Sequence, residues 1–223
     1  PATQRNLELL RSYGYEIVSP ERGALAGGDE GVGRLAEPET IAEVVLSRLS
    51  TLDLAGLHVI VTAGGTREPI DPVRYIGNRS SGKMGNAIAQ VAANRGARVL
   101  LVTAAEPPDD PSIEVVRVET AQQMAEEVWS RARHMDVAVM AAAVADFRPR
   151  DIDNSKIRRA DGVPKIELVP TADVLQGVHE MTPRPLLVGF AAETGSLDHV
   201  VEKARSKGVD LLVANDVTKE GSG

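Results

Sequence analysis

The run Val137-Ala-Val-Met-Ala-Ala-Ala143, inside an apolar stretch that continues to Ala145, constrains the fold more than any other segment. No polar residue interrupts it, so a strand formed here must be covered on both faces. At nine residues it is about half of the ~20 that a membrane-spanning helix requires. Shorter apolar or β-branched segments recur along the chain. Leu57–Val61, Arg98–Val102, Glu114–Val118, Val137–Ala142, Leu186–Phe190 and Asp210–Ala214 read as strands. Met84–Asn94, Ala121–His134, Ala172–Glu180 and Leu197–Lys207 read as helices between them. Thr120 and Thr171 are the expected N-caps, and Gly96 and Gly208 the expected residues just past helix ends. Strands alternating with helices give an α/β fold: a doubly wound, mostly parallel sheet, Rossmann-like, with helices on both faces. Ligands of such sheets bind beyond the carboxyl ends of the strands. Thr62–Gly65, Ala143–Asp146, Phe190–Glu193 and Ala214–Asp216 fall there and predict one shared site.

Residues 1–52 follow a different pattern. A short helix over Gln4–Tyr13, a strand over Glu16–Val18, the loop Ala24–Arg34 and a helix over Pro38–Leu49 are expected. They carry too little apolar surface for a core of their own, so the segment reads as an N-terminal appendage, the tail of another domain. A domain boundary is expected near Thr51–Ala55. At the other end, the polar, glycine-rich Thr218–Gly223 follows a strand abruptly, as if further chain belonged there.

Composition narrows the function. The net charge is -7 and aromatics make up 3% of the 223 residues, a balance that argues against a nucleic-acid groove. Without cysteine there are neither disulfides nor thiolate metal sites, which fits a cytoplasmic protein. No secretory signal or membrane span is read. His58, His134, His179 and His199 show no ligand spacing, so no metal ligands are assigned.

Against this acidic background, Gly65–Lys83 is locally basic: Arg67, Arg74, Arg79 and Lys83 face only Glu68 and Asp71. Backbone N–H groups at glycine turns and helix starts bind anions, so Gly64–Thr66 and Ser80–Gly82 are candidate phosphate cradles. Gly77 to Lys83 has the spacing of a nucleoside-triphosphatase loop. Met84 stands where that loop needs a Mg²⁺-binding hydroxyl, and the segment does not leave a strand directly. Small residues at 141–145 allow a ring or ribose to approach the backbone, and Asp146 can accept ribose hydroxyls or simply cap a turn. Lys156, Arg158, Arg159 and Lys165 oppose only Asp161 in a stretch that is either a solvated charge run or a lid carrying a cation. Phe190 is a core residue or a stacking partner for a base. Lys203 and Lys207 share a helical face.

Taken in order, VTAGGTREPIDPVRYIGNRSSGKMG, AAVADF, SKIRR, TADVLQG, GFAAET and ANDV resemble the phosphopantothenoylcysteine synthetase family of coenzyme A biosynthesis. The resemblance covers about residues 53–218 and assigns 53–223 to that domain. PATQRNLELLRSYGYEIV, LAGGDEGVGR and AEPETI resemble the C-terminal end of the flavin-dependent decarboxylase often fused upstream. Residues 1–52 are then its remnant and linker. FMN is implied only for the decarboxylase domain, and Gly27 stands where that family carries its acid cysteine.

The resemblance implies a CTP-dependent ligase for 4′-phosphopantothenate and L-cysteine, working with Mg²⁺ through an acyl-cytidylate. It implies a homodimer, with higher assembly through the decarboxylase domain, and neither nucleic-acid nor membrane partners. Lys156 and Asn78 carry over as catalytic residues, Lys156 at the α-phosphate and Asn78 in the second step. Asn78 could instead merely occupy a left-handed turn. The CTP contacts carry over onto Met140, Ala141, Ala142, Asp146, Lys156, Ala172, Asp173, Val174, Leu175, Phe190, Lys203 and Lys207. A dinucleotide oxidoreductase on the same fold and a non-catalytic scaffold are the alternatives.

Overall fold

The computed structural model describes residues 2–24, 29–49, 51–193 and 207–216. The chain divides into two compact units, Pro1–Thr51 and Leu52–Gly223.

The first unit contains α1 (Ala2–Ser12), β1 (Glu21–Ala24), β2 (Glu30–Arg34) and α2 (Pro38–Leu49). Pro38 takes the first helical position, where its missing N–H costs nothing. The expected strand over Glu16–Val18 does not form: the segment takes no regular secondary structure. Pairing falls instead between β1, which runs up to the start of the stretch read as a loop, and β2 within it, which make an antiparallel ladder. Glu21 stands opposite Arg34 there, an opposite-charge cross-strand pair that a search for apolar alternation overlooks. Among residues of this unit whose burial is described, Ala36 alone is buried.

The second unit begins with β3 (His58–Ala63), the hairpin β4 (Arg67–Pro69) and β5 (Tyr75–Gly77), α3 (Lys83–Asn94), β6 (Arg98–Thr103) and β7 (Ile113–Arg117). It continues with α4 (Ala121–Arg131), β8 (Val137–Met140), the short pair β9 (Phe147–Pro149) and β10 (Leu168–Pro170), α5 (Val174–His179), β11 (Leu186–Glu193) and β12 (Leu211–Asp216). Six strands form one sheet in the order β12-β11-β8-β3-β6-β7, and every neighbouring pair is parallel. The chain winds from β3 through β6 to β7 in one direction and from β8 through β11 to β12 in the other. The strand order therefore reverses between β3 and β8, and a crevice opens there.

Alternation along the strands divides the core. Ile60, Leu100, Ala138 and Leu187 pack with Met124 and Val128 of α4 and with Val174 and Val178 of α5. Val59, Val61, Leu101, Val139 and Val188 pack on the other face with Ala89 and Ala92 of α3. Successive residues of a strand point to opposite faces, so an unbroken apolar sequence fills both layers.

Helix ends follow the expected chemistry with one correction. Thr120 caps α4 through a reciprocal box with Gln123, and Gly96 follows α3 in the left-handed conformation at φ 91°. The N-cap of α5 is Asp173, not Thr171, and the helix runs two residues shorter at its start than expected. Thr171 is held elsewhere, its hydroxyl donating to the Ala145 carbonyl. The end of the helix expected at Ala121–His134 tightens into a 3₁₀ turn over Ala132–His134. Of the helix expected over Leu197–Lys207, only Lys207 is described. Lys203, Gly27 and the Thr218–Gly223 tail lie outside the described residues.

Candidate active site

The crevice at the strand reversal is built by hydroxyls and main chain. β8 ends at Met140, two residues earlier than its apolar sequence suggests. Beyond it the Ala142 N–H turns to Thr62 Oγ1 (3.1 Å) and the Ala143 N–H to the Gly64 carbonyl (2.8 Å). Gly65 and Ala143 form a single parallel bridge, and buried Thr66 accepts the Ala145 N–H at 2.9 Å. Asn78 Nδ2 donates to the carbonyls of Ala143 (3.3 Å) and Val144 (3.0 Å). The segment 142–146 is thereby pinned to the end of β3, and Thr171 holds its far side through the Asp146 carbonyl at 3.0 Å.

A cavity of about 420 Å³ opens beside this segment, within the ordinary size of a small-ligand site. Met140, Ala142 and Asp146 line it from the end of β8. Ala172, Asp173, Val174 and Leu175 line it from the start of α5, Phe190 from β11 and Lys207 from the approach to β12. Nine of the residues that the resemblance assigns to a nucleotide thus meet around one space. Phe190 is half-buried: it packs against the α3-side core and also lines the cavity. Thr62, Val144, Ala145, Pro170, Thr171 and Leu212 complete the wall. Among them, Thr62, Val144 and Ala145 belong to strand ends that the sequence marks for the shared site, whereas Pro170 and Leu212 carry no such signal.

Asp173 is the electrostatic centre of the wall. Partial burial pushes its carboxyl up, but the Gln176 N–H and the Lys207 ammonium outweigh burial and hold it below the usual range. Lys207 Nζ stands 2.9 Å from Asp173 Oδ2.

Other expected residues lie outside the wall. Ala141 adjoins it but does not line it, while Lys156 is exposed on the loop between β9 and β10. Asn78 has no left-handed backbone, since no described non-glycine residue has positive φ. Gly64 and Gly82 do, at φ 82° and 78°. Both turns abut the loop after β6: an added Cβ would stand 2.7 Å from the Ala105 nitrogen at Gly64 and 2.6 Å from the Ala105 Cβ at Gly82. Packing alone requires glycine at these two places. Thr66 is likewise buried, while Ser81 is exposed at the turn into α3, where its Oγ lies 3.5 Å from the Lys83 nitrogen.

Residues 54–223 match the family described as the DNA/pantothenate metabolism flavoprotein C-terminal domain. The chain belongs to this family. Similar relatives agree with the flavoprotein C-terminal assignment. The coenzyme A biosynthesis bifunctional protein CoaBC of Mycobacterium tuberculosis is 50% identical over 236 residues, covering 97% of this chain and 56% of that protein. The protein of the same name from Bacillus subtilis is 42% identical over 229 residues, covering 100% of this chain and 56% of that one. The chain thus spans a little over half the length of these curated relatives. A crystal structure of the C-terminal domain of CoaBC superposes with a TM-score of 0.63 at 45% identity, covering 74% of this chain and 79% of that one. The DNA/pantothenate metabolism flavoprotein of Streptococcus pneumoniae superposes with a TM-score of 0.66 at 28% identity, covering 75% and 85%.

Proposed function

We propose that this flavoprotein C-terminal domain is a ligase joining 4′-phosphopantothenate to L-cysteine at the expense of CTP, in coenzyme A biosynthesis. The supporting observation is the convergence of nine family nucleotide positions on one cavity at the strand reversal. The substrate carboxylate attacks the α-phosphorus of CTP and pyrophosphate leaves. The cysteine amine then attacks the acyl carbon of the resulting acyl-cytidylate, and CMP leaves. Two anions meet in the first step, so the Lys156 ammonium lowers that barrier by offsetting charge on the α-phosphate. Asp146 takes the ribose hydroxyls, Phe190 the cytosine ring, and Lys203 and Lys207 the phosphates. Gly64–Thr66 and Ser80–Gly82 offer further N–H groups to phosphate.

Mg²⁺ fits this site as a companion of the triphosphate. Among the described residues, no group of three or more His, Asp or Glu side chains is placed to hold a metal, and Mg²⁺ commonly binds through substrate phosphates with one or two carboxylates. Asp146 and Asp173 are the carboxylates on the wall. When bound, the ion would neutralise phosphate charge.

We assign residues 1–52 to the end of a flavin-dependent decarboxylase domain and its linker. We also place the protein in the cytoplasm as a homodimer, assembled further through the decarboxylase domain. Among the described residues, no helix is long and apolar enough to cross a membrane. A dinucleotide oxidoreductase is the weaker reading, because Ala104 and Ala105 pack against the turn where a dinucleotide pyrophosphate would lie.

Trp129 provides a direct assay. It is the single tryptophan, and its Nε1 donates to the Val174 carbonyl on the cavity wall at 3.1 Å. CTP should change its emission and release pyrophosphate when phosphopantothenate is added. ATP, GTP and UTP should lag by ~1–3 kcal/mol, because a wrong base leaves polar groups unpaired. Equal responses to all four nucleotides would refute CTP selectivity.

A further inference from the structure

Asp71 is not part of the cavity wall, yet it is one of the few buried charged residues among those described, with a side chain 0% exposed. Its carboxylate accepts the N–H groups of Val73 (2.8 Å), Arg74 (2.8 Å) and Ile157 (3.2 Å). The Arg74 guanidinium closes the set with an ion pair to the same carboxylate. Arg74 Nη2 also donates to the Ile157 carbonyl at 3.1 Å. Both main-chain polar groups of Ile157 are therefore held by one acid–base pair more than eighty residues away in sequence. A second tie lies at Asp153, whose N–H donates to the Ile70 carbonyl at 3.0 Å. Lys156 sits between these two anchors.

The connection also reaches the other expected catalytic residue. The Ile70 N–H donates to the Arg74 carbonyl at 2.8 Å, closing the 70–74 turn that leads through β5 to Asn78. One turn thus grips the Lys156 loop on one side and runs into the Asn78 segment on the other.

We infer that Asp71 is a positioning residue: locked to Arg74, its buried carboxylate fixes the main chain of Ile157 and thereby places the Lys156 ammonium. The inference rests on the proposed role of Lys156 for its catalytic consequence, but not for its mechanical one. A buried carboxylate accepting three N–H groups and a guanidinium cannot be replaced by an amide, which brings two donors to a set that needs acceptors. The loop should release while the sheet stays intact.

The test uses the full chain carrying Asp71→Asn. Hydrogen exchange at the Ile157 amide should rise roughly tenfold or more, while sheet amides such as Leu101 and Val139 keep their protection. Pyrophosphate release should fall by about 10–100-fold, the cost of a misplaced catalytic group, with CTP affinity read from Trp129 emission changing less than about threefold. Combined with Lys156→Gln, the variant should lose no more than Lys156→Gln alone, since Asp71 acts through that lysine. Unchanged exchange at Ile157, or losses that multiply in the double variant, would overturn the inference. A parent chain that releases no pyrophosphate would refute the ligase reading, while exchange at Ile157 still decides whether Asp71 holds the loop. If Asp71→Asn does not fold, Arg74→Lys carries the same comparison, because it keeps the charge but cannot bridge carboxylate and carbonyl together.

Discussion

Lys207 and Asp173 join the approach to β12 to the N-cap of α5, with Nζ 2.9 Å from Oδ2, on the wall of the cavity at the strand reversal. Asp173 uses its other oxygen to accept the Gln176 N–H at 3.0 Å. One carboxylate therefore both starts the helix and neutralises a lysine that an anionic ligand would recruit. The pair is net neutral as it stands, so a phosphate would have to compete with Asp173 for the Lys207 ammonium.

Lys207→Gln should weaken CTP binding by about 10–100-fold, the range of a lost charge-assisted hydrogen bond. Cytidine has no phosphate and should bind almost as before. Titrations of both ligands against Trp129 emission would separate these cases, and an equal loss for the two would place Lys207 away from the phosphates.

Gly177 lies under the Trp129 ring, where an added Cβ would come within 2.3 Å of indole atoms. Gly177→Ala must displace either the indole or α5. A destabilisation of about 1–3 kcal/mol is expected from such overpacking, together with a shifted Trp129 emission and weaker nucleotide binding, because the Trp129–Val174 bond is lost. Unchanged Tm and emission would mean that the ring has room to move.

Acid should loosen the second unit in a defined window. Burial pushes the Asp71 carboxyl up, yet the N–H groups of Val73, Arg74 and Ile157 and the Arg74 guanidinium hold it at about 2, against an ordinary 3.8. Arg184 and the Leu187 N–H similarly hold Asp210 at about 2. Asp53 beside Arg95 and Glu106 beside Arg117 are lowered in the same direction. In each case the unfolded chain takes up its proton at a higher pH than the folded one. The stabilisation is complete above about pH 5 and disappears as pH falls toward 2. Thermal unfolding followed from about pH 6 downward should show Tm dropping across that interval, with a smaller drop in Asp71→Asn. A Tm independent of pH there would contradict these carboxylate environments.

Much of the second unit could be read directly because its apolar segments fill a sheet covered on both faces. Ile60 and Val61, adjacent in sequence, serve opposite layers. Strand-end position marked only part of the cavity wall, Thr62, Val144, Ala145, Asp146 and Phe190, whereas Ala172–Leu175 at the start of α5 and Lys207 entered through the family resemblance. Thr171 was mistaken for a cap because Thr and Asp both suit that position, and only the Ala145 carbonyl, distant in sequence, shows where its hydroxyl goes. The β1–β2 ladder escaped notice because its strands, Glu21–Ala24 and Glu30–Arg34, are made mostly of charged residues and glycine rather than alternating apolar residues. Asp71 gave no signal at all: a short Asp-Pro turn looks like an ordinary surface feature until Ile157 arrives beside it.

Asn78 shows how one position can connect fold and chemistry. Both donors of its amide are engaged by carbonyls at the end of β8, so an acyl oxygen using the same amide must compete with the main chain or draw on it as the segment shifts. Asn78→Asp removes both donors and sets a carboxylate against two carbonyl oxygens. A loss of about 1–3 kcal/mol in stability is expected from the unmet acceptors and repulsion. The backbone there is not left-handed, so Asp gains nothing from conformation. If the amide also assists the second chemical step, acyl-cytidylate should accumulate in this variant and be visible by mass spectrometry after quenching, with pyrophosphate release less affected than product formation. Lower stability with both steps slowed in parallel would assign Asn78 to holding the strand end alone. Wild-type stability and turnover would show that neither role matters.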